Sequence, residues 1–277
     1  QKKWAKMKLI QIQRGFLLKI IRGYRTVSNA AAQIIAGIEP LFLTGIQKAT
    51  TSNVKNNRNI PEYLLHLQLE KQVNPVEAGH PSNYTYYLRE NCSYPHKFSI
   101  YTDGSRFQMT SQESAKVGCA FVVYSCNQFI EQTFATFKLS PYCSVFQSEL
   151  IAIREAIKWC KENDSSASIF SDSQSALFAI SNKYNLNPIA TEIRSEILKS
   201  DNHICLTWVR GHNGDTGNER ADTLAKLAAY SDTPYSYSLC PLSFSKKTIK
   251  EHITEEWNAQ WIKSDKGVST RKMFFPT

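Results

Sequence analysis

Phe98-Ser99-Ile100-Tyr101-Thr102-Asp103-Gly104-Ser105 decides how this chain is read. Phe98, Ile100 and Thr102 alternate with Ser99, Tyr101 and Asp103, the period of two that belongs to a β-strand. Two more β-rich runs follow, Gly118 to Tyr124 and Phe129 to Phe137, with the turn-forming pair Cys126-Asn127 between them, so a three-stranded meander is predicted. The period then changes. Phe146, Leu150, Ile153, Ile157 and Cys160 recur at helical spacing, and a short apolar strand, Ala167 to Phe170, comes next. Helices are predicted from about Ser173 to Asn182 and from about Pro188 to Lys199. A strand from Ile204 to Val209 then leads through the loop Arg210 to Asp215 into a last helix. Strands that begin as hairpins and then alternate with helices imply an α/β fold with a mixed five-stranded sheet flanked by helices.

The rest of the chain differs in kind. Apolar residues Leu9, Ile12, Phe16 and Ile20 predict a helix from Trp4 to Tyr24. Ser28-Asn29 caps a second helix ending near Gly37, and a short third helix follows Pro40. Residues 51 to 95 lose periodicity and gain Asn, Ser, Pro and Tyr, which reads as a connector with one helix around Pro61 to Lys71. The expected organisation is a helical segment over 1–60, a connector over 61–95, the α/β domain over 96–230 and a tail over 231–277.

Composition bounds the possibilities. The 277 residues, 42% hydrophobic, 12% aromatic and 21% charged, are enough for one or two domains with their own core and exclude disorder as the main state. No run of eighteen apolar residues occurs, so the expectation is an intracellular chain with no membrane partner. Seven cysteines, an odd number without a Cys-x-x-Cys pair, argue against a disulfide framework and a structural zinc site. Starting at Gln1, the chain reads as a piece of a longer product.

The net charge of +9 is unevenly placed. Residues 1–95 hold 13 basic and 5 acidic side chains, a balance of +8, which leaves +1 for the remainder. Lys2, Lys3, Lys6, Lys8, Arg14, Lys19, Arg22 and Arg25 occur without one acid, a pattern that attracts phosphates; Lys6 and Arg14 are candidate nucleic-acid contacts. The competing readings are the solvated face of an amphipathic helix and an organelle transit peptide.

Four acids stand where the structural pattern does not ask for them. Asp103 and Asp172 each end a strand, and in open α/β sheets ligands bind outside the carboxyl ends of strands. Glu149 lies on the core-facing stripe of its helix, where an unpaired carboxylate is costly to desolvate. Asp222 follows Thr216-Gly217-Asn218-Glu219, a capping-box pattern that puts it in the early turns of the last helix. Converging carboxylates repel one another, and hard divalent cations with oxygen preference relieve that repulsion. A two-metal phosphodiester hydrolase is the sharp reading. N-caps, ion pairs and solvated side chains are the alternatives for any one of them.

Five motifs in order carry a resemblance: Tyr101-Thr102-Asp103-Gly104-Ser105, Phe146-Gln147-Ser148-Glu149-Leu150, Ser171-Asp172-Ser173-Gln174-Ser175-Ala176, Trp208-Val209-Arg210-Gly211-His212 and Gly217-Asn218-Glu219-Arg220-Ala221-Asp222. Residues 96–230 resemble a type 1 ribonuclease H domain. The resemblance implies endonucleolytic cleavage of the RNA strand of an RNA/DNA hybrid, with Asp103, Glu149, Asp172 and Asp222 holding two Mg²⁺ or Mn²⁺ ions. It places His212 in a mobile loop, assisting proton transfer or product release, and implies substrate contacts at Gly104, Ser105, Gln147, Ser173 and Asn218. The chain departs from the cellular enzymes at Val145-Phe146, where those carry Asn or Gln side chains that touch the 2′-hydroxyl, the handle that tells RNA from DNA. It also lacks their basic insertion after Asp172.

The flanks carry a second resemblance. Gln11 to Ile20, Tyr24 to Ser28 and Ala36 to Leu41 are similar to the end of the reverse transcriptase in jockey-like and I-like non-LTR retrotransposons, and Glu256 to Trp261 and Phe274-Phe275-Pro276 to the stretch after their ribonuclease H domain. This implies a C-terminal piece of a polyprotein whose partner is an upstream reverse transcriptase. A catalytically silent nucleic-acid-binding remnant is the alternative, and oligomeric state stays open.

Overall fold

The N-terminal helices pack around a glutamine. In the computed structural model, which describes residues 2–71, 73–74, 96–108, 114–211 and 213–274, they are α1 (Lys2–Ile20), α2 (Asn29–Ala36) and α3 (Leu41–Lys55). Ser28 caps α2 by accepting from the Ala31 amide, and Gly37 closes it in the left-handed conformation at φ 62°. The buried face of α1 is formed by Gln13 and Leu17, not by the expected apolar seam: Ile12, Phe16 and Ile20 are all more than half exposed. Gln13 is buried because both ends of its amide are used. Its Nε2 donates to the Glu39 carbonyl (2.6 Å), and its Oε1 accepts from Gln33 Nε2 (2.9 Å) and the Leu41 amide (3.0 Å). The third helix runs fifteen residues rather than a short stretch, and the helix expected around Pro61–Lys71 is only a 3₁₀ turn, Glu62–Leu64.

The central unit is a five-stranded sheet. Strands β1 (Phe98–Phe107), β2 (Lys116–Ser125) and β3 (Glu131–Leu139) form the antiparallel meander, while β4 (Ala167–Ser171) and β5 (Ile204–Trp208) add in parallel on the other side of β1. The order is β3-β2-β1-β4-β5. Helices α4 (Val145–Glu162), α5 (Gln174–Ser181) and α6 (Pro188–Leu198) cover one face, and α7 (Thr216–Tyr230) lies on β1 and β2 from the other. The meander, the mixed sheet and all four helices agree with the sequence reading to within a few residues. Alternation explains the two layers: Ile100 and Ile169 face the α4 side with Leu150, Ile153 and Ile157, whereas Tyr101, Ala120 and Val122 face α7 with Ala221, Leu224 and Ala225.

The chain forms two compact units, one of residues 67–241 and one of 1–66 with 242–277. The stretch read as a tail contains α8 (Leu242–Ile262) and α9 (Val268–Arg271), and α8 packs on α3 within the second of these units. Residues 67–70, read as connector, and 236–240, read as tail, are parts of the sheet-bearing unit: Leu69 bridges Cys240, and Tyr237 bridges Leu139 at the end of β3. Cys119, Cys143, Cys160 and Cys240 are buried thiols and Cys126 an exposed one, but Cys205 is in a disulfide, which the odd cysteine count did not suggest. Among the described residues, no single helix is long and apolar enough to cross a membrane.

Candidate active site

Asp103 and Asp172 meet because β1 outruns β4. The parallel register ends at Thr102 opposite Ser171, so the next residue of each chain, Asp103 and Asp172, stands side by side at the carboxyl end of β4. Asp103 is still within β1, pairs with Ala120 of β2, and is buried. Asp172 is held from several sides. Its carbonyl accepts from Trp208 Nε1 (3.1 Å), its Oδ2 accepts from Asn218 Nδ2 (3.4 Å), and Gly211 passes so close that a Cβ there would lie 2.5 Å from Oδ2.

Glu149 comes in from α4. Gly104 allows this: a Cβ at that position would sit 2.5 to 2.7 Å from Ser148 Oγ, the Ser148 carbonyl carbon and the Glu149 amide. Helix and strand therefore touch at the backbone, and Glu149 is carried inward until it is 6% exposed. Its Oε2 is buried with no hydrogen-bond partner.

Asp103, Glu149 and Asp172 each offer a carboxylate oxygen within 4.8 Å of the others. Burial, followed by the charges of Asp172 and Asp222, pushes the Asp103 carboxyl up to about 7, against the opposing pull of Lys226 and the Gly104 amide. Burial also raises Glu149 well above the usual carboxylate range, and the charges of Asp103 and Asp172 add to it. A site of oxygen donors with an unpartnered buried carboxylate oxygen suits a hard divalent cation, which would replace the lost solvation and relieve the repulsion.

Asp222 does not join this group of three. Its carboxylate sits on α7 and forms an ion pair with Lys226 one turn on (2.6 Å), although its charge reaches both Asp103 and Glu149. The cap of α7 is Asp215, whose Oδ1 accepts from the Gly217 and Asn218 amides, rather than the expected box of Thr216 and Glu219. His212 lies outside the described residues.

The expected substrate contacts divide. Ser105 and Ser173 are half-buried near the acids, with Ser173 Oγ capping α5 through the Ala176 amide (3.3 Å). Gly104 contributes its amide to the carboxylates and its missing side chain to the helix contact. Asn218 is buried against Asp172 and so is a neighbour of that acid, with its Oδ1 unpartnered. Gln147 is not available to a substrate. It is 1% exposed, and it closes a capping box with Ser144 while its Nε2 donates to Glu70 (3.0 Å). Arg14 is also engaged: its guanidinium binds the carbonyls of Arg25 (2.5 Å) and Val27 (2.9 Å) and the Asn29 side chain (2.6 Å), closing the loop between α1 and α2. Lys6 places its ammonium 4.1 Å from the centre of the Phe42 ring. Glu70 and Tyr237, which the sequence reading left out, lie in the same unit next to Gln147.

A mixed sheet whose neighbouring β1 and β4 bring two acids to one crevice, with a third from the covering helix, defines an α/β domain with a carboxylate site able to hold divalent cations. Residues 95–230 match the ribonuclease H family, described as RNase H. Curated relatives include a ribonuclease H of Ruthia magnifica subsp. Calyptogena magnifica, 33% identical over 96 residues, and one of Helicobacter pylori strain HPAG1, 37% identical over 94. These matches take in 30% and 31% of this chain, which spans 66% and 65% of the relatives' own lengths. Similar solved structures include the native prototype foamy virus protease–reverse transcriptase (18% identity, TM-score 0.46, 54% of this chain and 23% of that one). The solution structure of the PFV RNase H domain is another (19% identity, TM-score 0.43, 49% of this chain and 95% of that one).

Proposed function

We propose that this chain hydrolyses the RNA strand of RNA/DNA hybrids with the aid of two divalent cations, Mg²⁺ or in its place Mn²⁺. The observation that carries the reading is the cluster of Asp103, Glu149 and Asp172, the first two buried and the third half-buried, where the parallel pairing of β1 and β4 ends. These three would hold the cations, with Asp222 supplying further negative charge from α7. Bound there, such cations lower the pKa of an attacking water and neutralise the leaving oxygen of the phosphodiester. The residues of the chain do the positioning. Asn218 and Trp208 fix Asp172, the Gly104 amide fixes Asp103 and Glu149, and Lys226 keeps Asp222 oriented. His212, four residues ahead of α7 in the sequence, assists proton transfer or product release, as its place in the motif implies. The motif resemblance of the flanks supports a place in a retrotransposon polyprotein, acting inside the cell with an upstream reverse transcriptase as partner.

The test is cleavage of a labelled RNA/DNA hybrid with Mg²⁺, alongside EDTA and DNA-duplex and RNA-duplex controls. Metal-dependent cutting of the hybrid's RNA strand alone, abolished by Asp103→Asn or Asp172→Asn with an intact fold, is the expected result. Most activity surviving either substitution overturns the site assignment. No cutting by folded protein favours a binding remnant.

A further inference from the structure

We propose that Glu70, outside the stretch that matches the ribonuclease H family, is a positioning residue for Glu149, acting through Gln147 at the start of α4. The inference rests on the nuclease reading above. Glu70 is 9% exposed, and its Oε1 accepts two hydrogen bonds, from Gln147 Nε2 (3.0 Å) and from the Tyr237 hydroxyl (2.8 Å). Gln147 in turn closes the capping box: its amide donates to Ser144 Oγ and its Oε1 accepts from the Ser144 amide, both at 3.1 Å. The Glu70 carboxylate thereby anchors the side chain that closes the cap of α4.

Gln147 and Glu149 are two residues apart, so their side chains leave the helix about 200° apart, on nearly opposite sides. On the Glu149 side the backbone rests on Gly104 of β1 with no room to approach further. On the other side the Gln147 side-chain amide donates to Glu70 and to the Leu239 carbonyl, the contacts that tie it to residues outside α4 and its cap. The helix start is clamped between these two contacts, and loss of one leaves Glu149, whose Oε2 has no partner of its own, free to retreat from Asp103.

The segments that supply the clamp are built into the sheet. The Ser140 amide donates to the Tyr237 carbonyl (2.9 Å) and the Ser236 amide to Lys138 (2.8 Å), so residues 236–237 extend the end of β3. The Cys240 amide donates to Gln68 (2.7 Å) and the Glu70 amide to Cys240 (2.9 Å), which brings 68–70 alongside. The Arg154 guanidinium of α4 lies 5.5 Å from the centre of the Tyr237 ring. The working nuclease unit therefore runs from about residue 67 to 241, and its extensions set the catalytic geometry.

The full chain and its Glu70→Ala, Glu70→Gln and Gln147→Met variants are compared in two assays: Mn²⁺ binding by the loss of free-ion EPR signal, with Glu149→Gln as the site control, and hybrid cleavage against Mg²⁺ concentration. Thermal melts establish which variants are folded. Glu70→Ala is expected to weaken Mn²⁺ binding and raise the Mg²⁺ midpoint by about tenfold, with KM for the hybrid unchanged. Glu70→Gln retains an acceptor oxygen and should stay within about twofold of the parent. If Glu70→Ala does not fold, Gln147→Met, which breaks the link and leaves Glu70 with Tyr237, must show the same shift. A lower melting temperature with an unchanged Mn²⁺ midpoint in the folded variants overturns the proposal. Mn²⁺ binding that needs Glu149 and Glu70 in a parent that cuts no hybrid would sink the nuclease reading while leaving the clamp standing.

Discussion

Replacing Asp103 by Asn should stabilise the metal-free protein while destroying its activity. Asp103 is 7% exposed and faces Glu149 and Asp172, and its carboxyl is pushed from the ordinary 3.8 up to about 7. Each tenfold change in proton affinity corresponds to about 1.4 kcal/mol, so holding the ionised form in the fold costs on the order of 4 kcal/mol. The sign follows from proton counting. Below pH 3.8 the carboxyl is protonated in both folded and unfolded chains and costs nothing. Between 3.8 and about 7 the folded chain binds a proton that the unfolded chain has released, so stability falls as pH rises; above about 7 the whole penalty is present. Asparagine keeps the shape and carries no charge. Urea unfolding in EDTA at pH 8 should show Asp103→Asn more stable than the parent by about 2–4 kcal/mol, the gain shrinking toward zero near pH 4. Saturating Mg²⁺ should reverse the order, because a ligand that binds only the folded parent adds stability to it alone. An Asp103→Asn protein less stable than the parent at pH 8 in EDTA would refute the electrostatic reasoning, whatever its activity.

Other positions give sharp expectations. Gly118→Ala puts a Cβ 2.4 to 2.8 Å from the backbone of Ala225, Ala228 and Ala229, so α7 must move off β2, and urea unfolding should show a loss of about 2–3 kcal/mol. Arg194→Met should cost about 3 kcal/mol by the same measurement, because the buried guanidinium donates to the carbonyls of Ala179 (2.9 Å) and Asn182 (3.2 Å) and to Thr191 Oγ1 (2.8 Å). Arg14 is occupied, so the exposed lysines Lys3, Lys8 and Lys19 test the expectation that α1 attracts phosphates. Their joint replacement by alanine should flatten the salt dependence of hybrid binding by about 2.7 in log–log slope, and an unchanged slope excludes these lysines from the interface.

The sheet was legible because its signals are local. Alternation over Phe98–Asp103 and helical spacing over Phe146–Cys160 each report a burial that holds in the fold. The three clustered acids were legible for the same reason, as charges where the pattern called for apolar or neutral residues. What failed was pattern without partners. In α1 the apolar spacing of Ile12, Phe16 and Ile20 pointed to the wrong face, because Gln13 is buried by contacts with residues 20 to 28 positions away. Thr216-x-x-Glu219 and Ser144-x-x-Gln147 both satisfy a capping box, but Asp215 takes the first cap, and only the second box forms. That second box was readable in advance and would have removed Gln147 from the candidate substrate contacts. Glu70 and Tyr237 lie 167 residues apart, and nothing in either neighbourhood announces their hydrogen bond.

Glycine placement explains why the acids can come so close, and it separates two kinds of damage. Gly104, Gly211 and Gly217 each occupy a point where a side chain would strike a neighbour, but the neighbours differ. At Gly104 it is the backbone of α4, and at Gly217 it is the ring of Tyr101, 2.3 Å from a Cβ and packed between Tyr124 and Phe170. Neither can yield without moving an element. At Gly211 the obstacle is the carboxylate of Asp172, with Oδ2 at 2.5 Å but Cγ and Cβ already at 3.3 and 3.4 Å. A side-chain rotation of Asp172 clears that contact, so Gly211→Ala should leave the melting temperature within a few degrees of the parent. The rotation also takes Oδ2 from Asn218 and from the cluster, so Mn²⁺ binding and hybrid cleavage should both fall by at least about tenfold. A Gly211→Ala protein with full metal affinity would mean that the loop yields instead of the acid, and that this glycine serves the loop's own conformation.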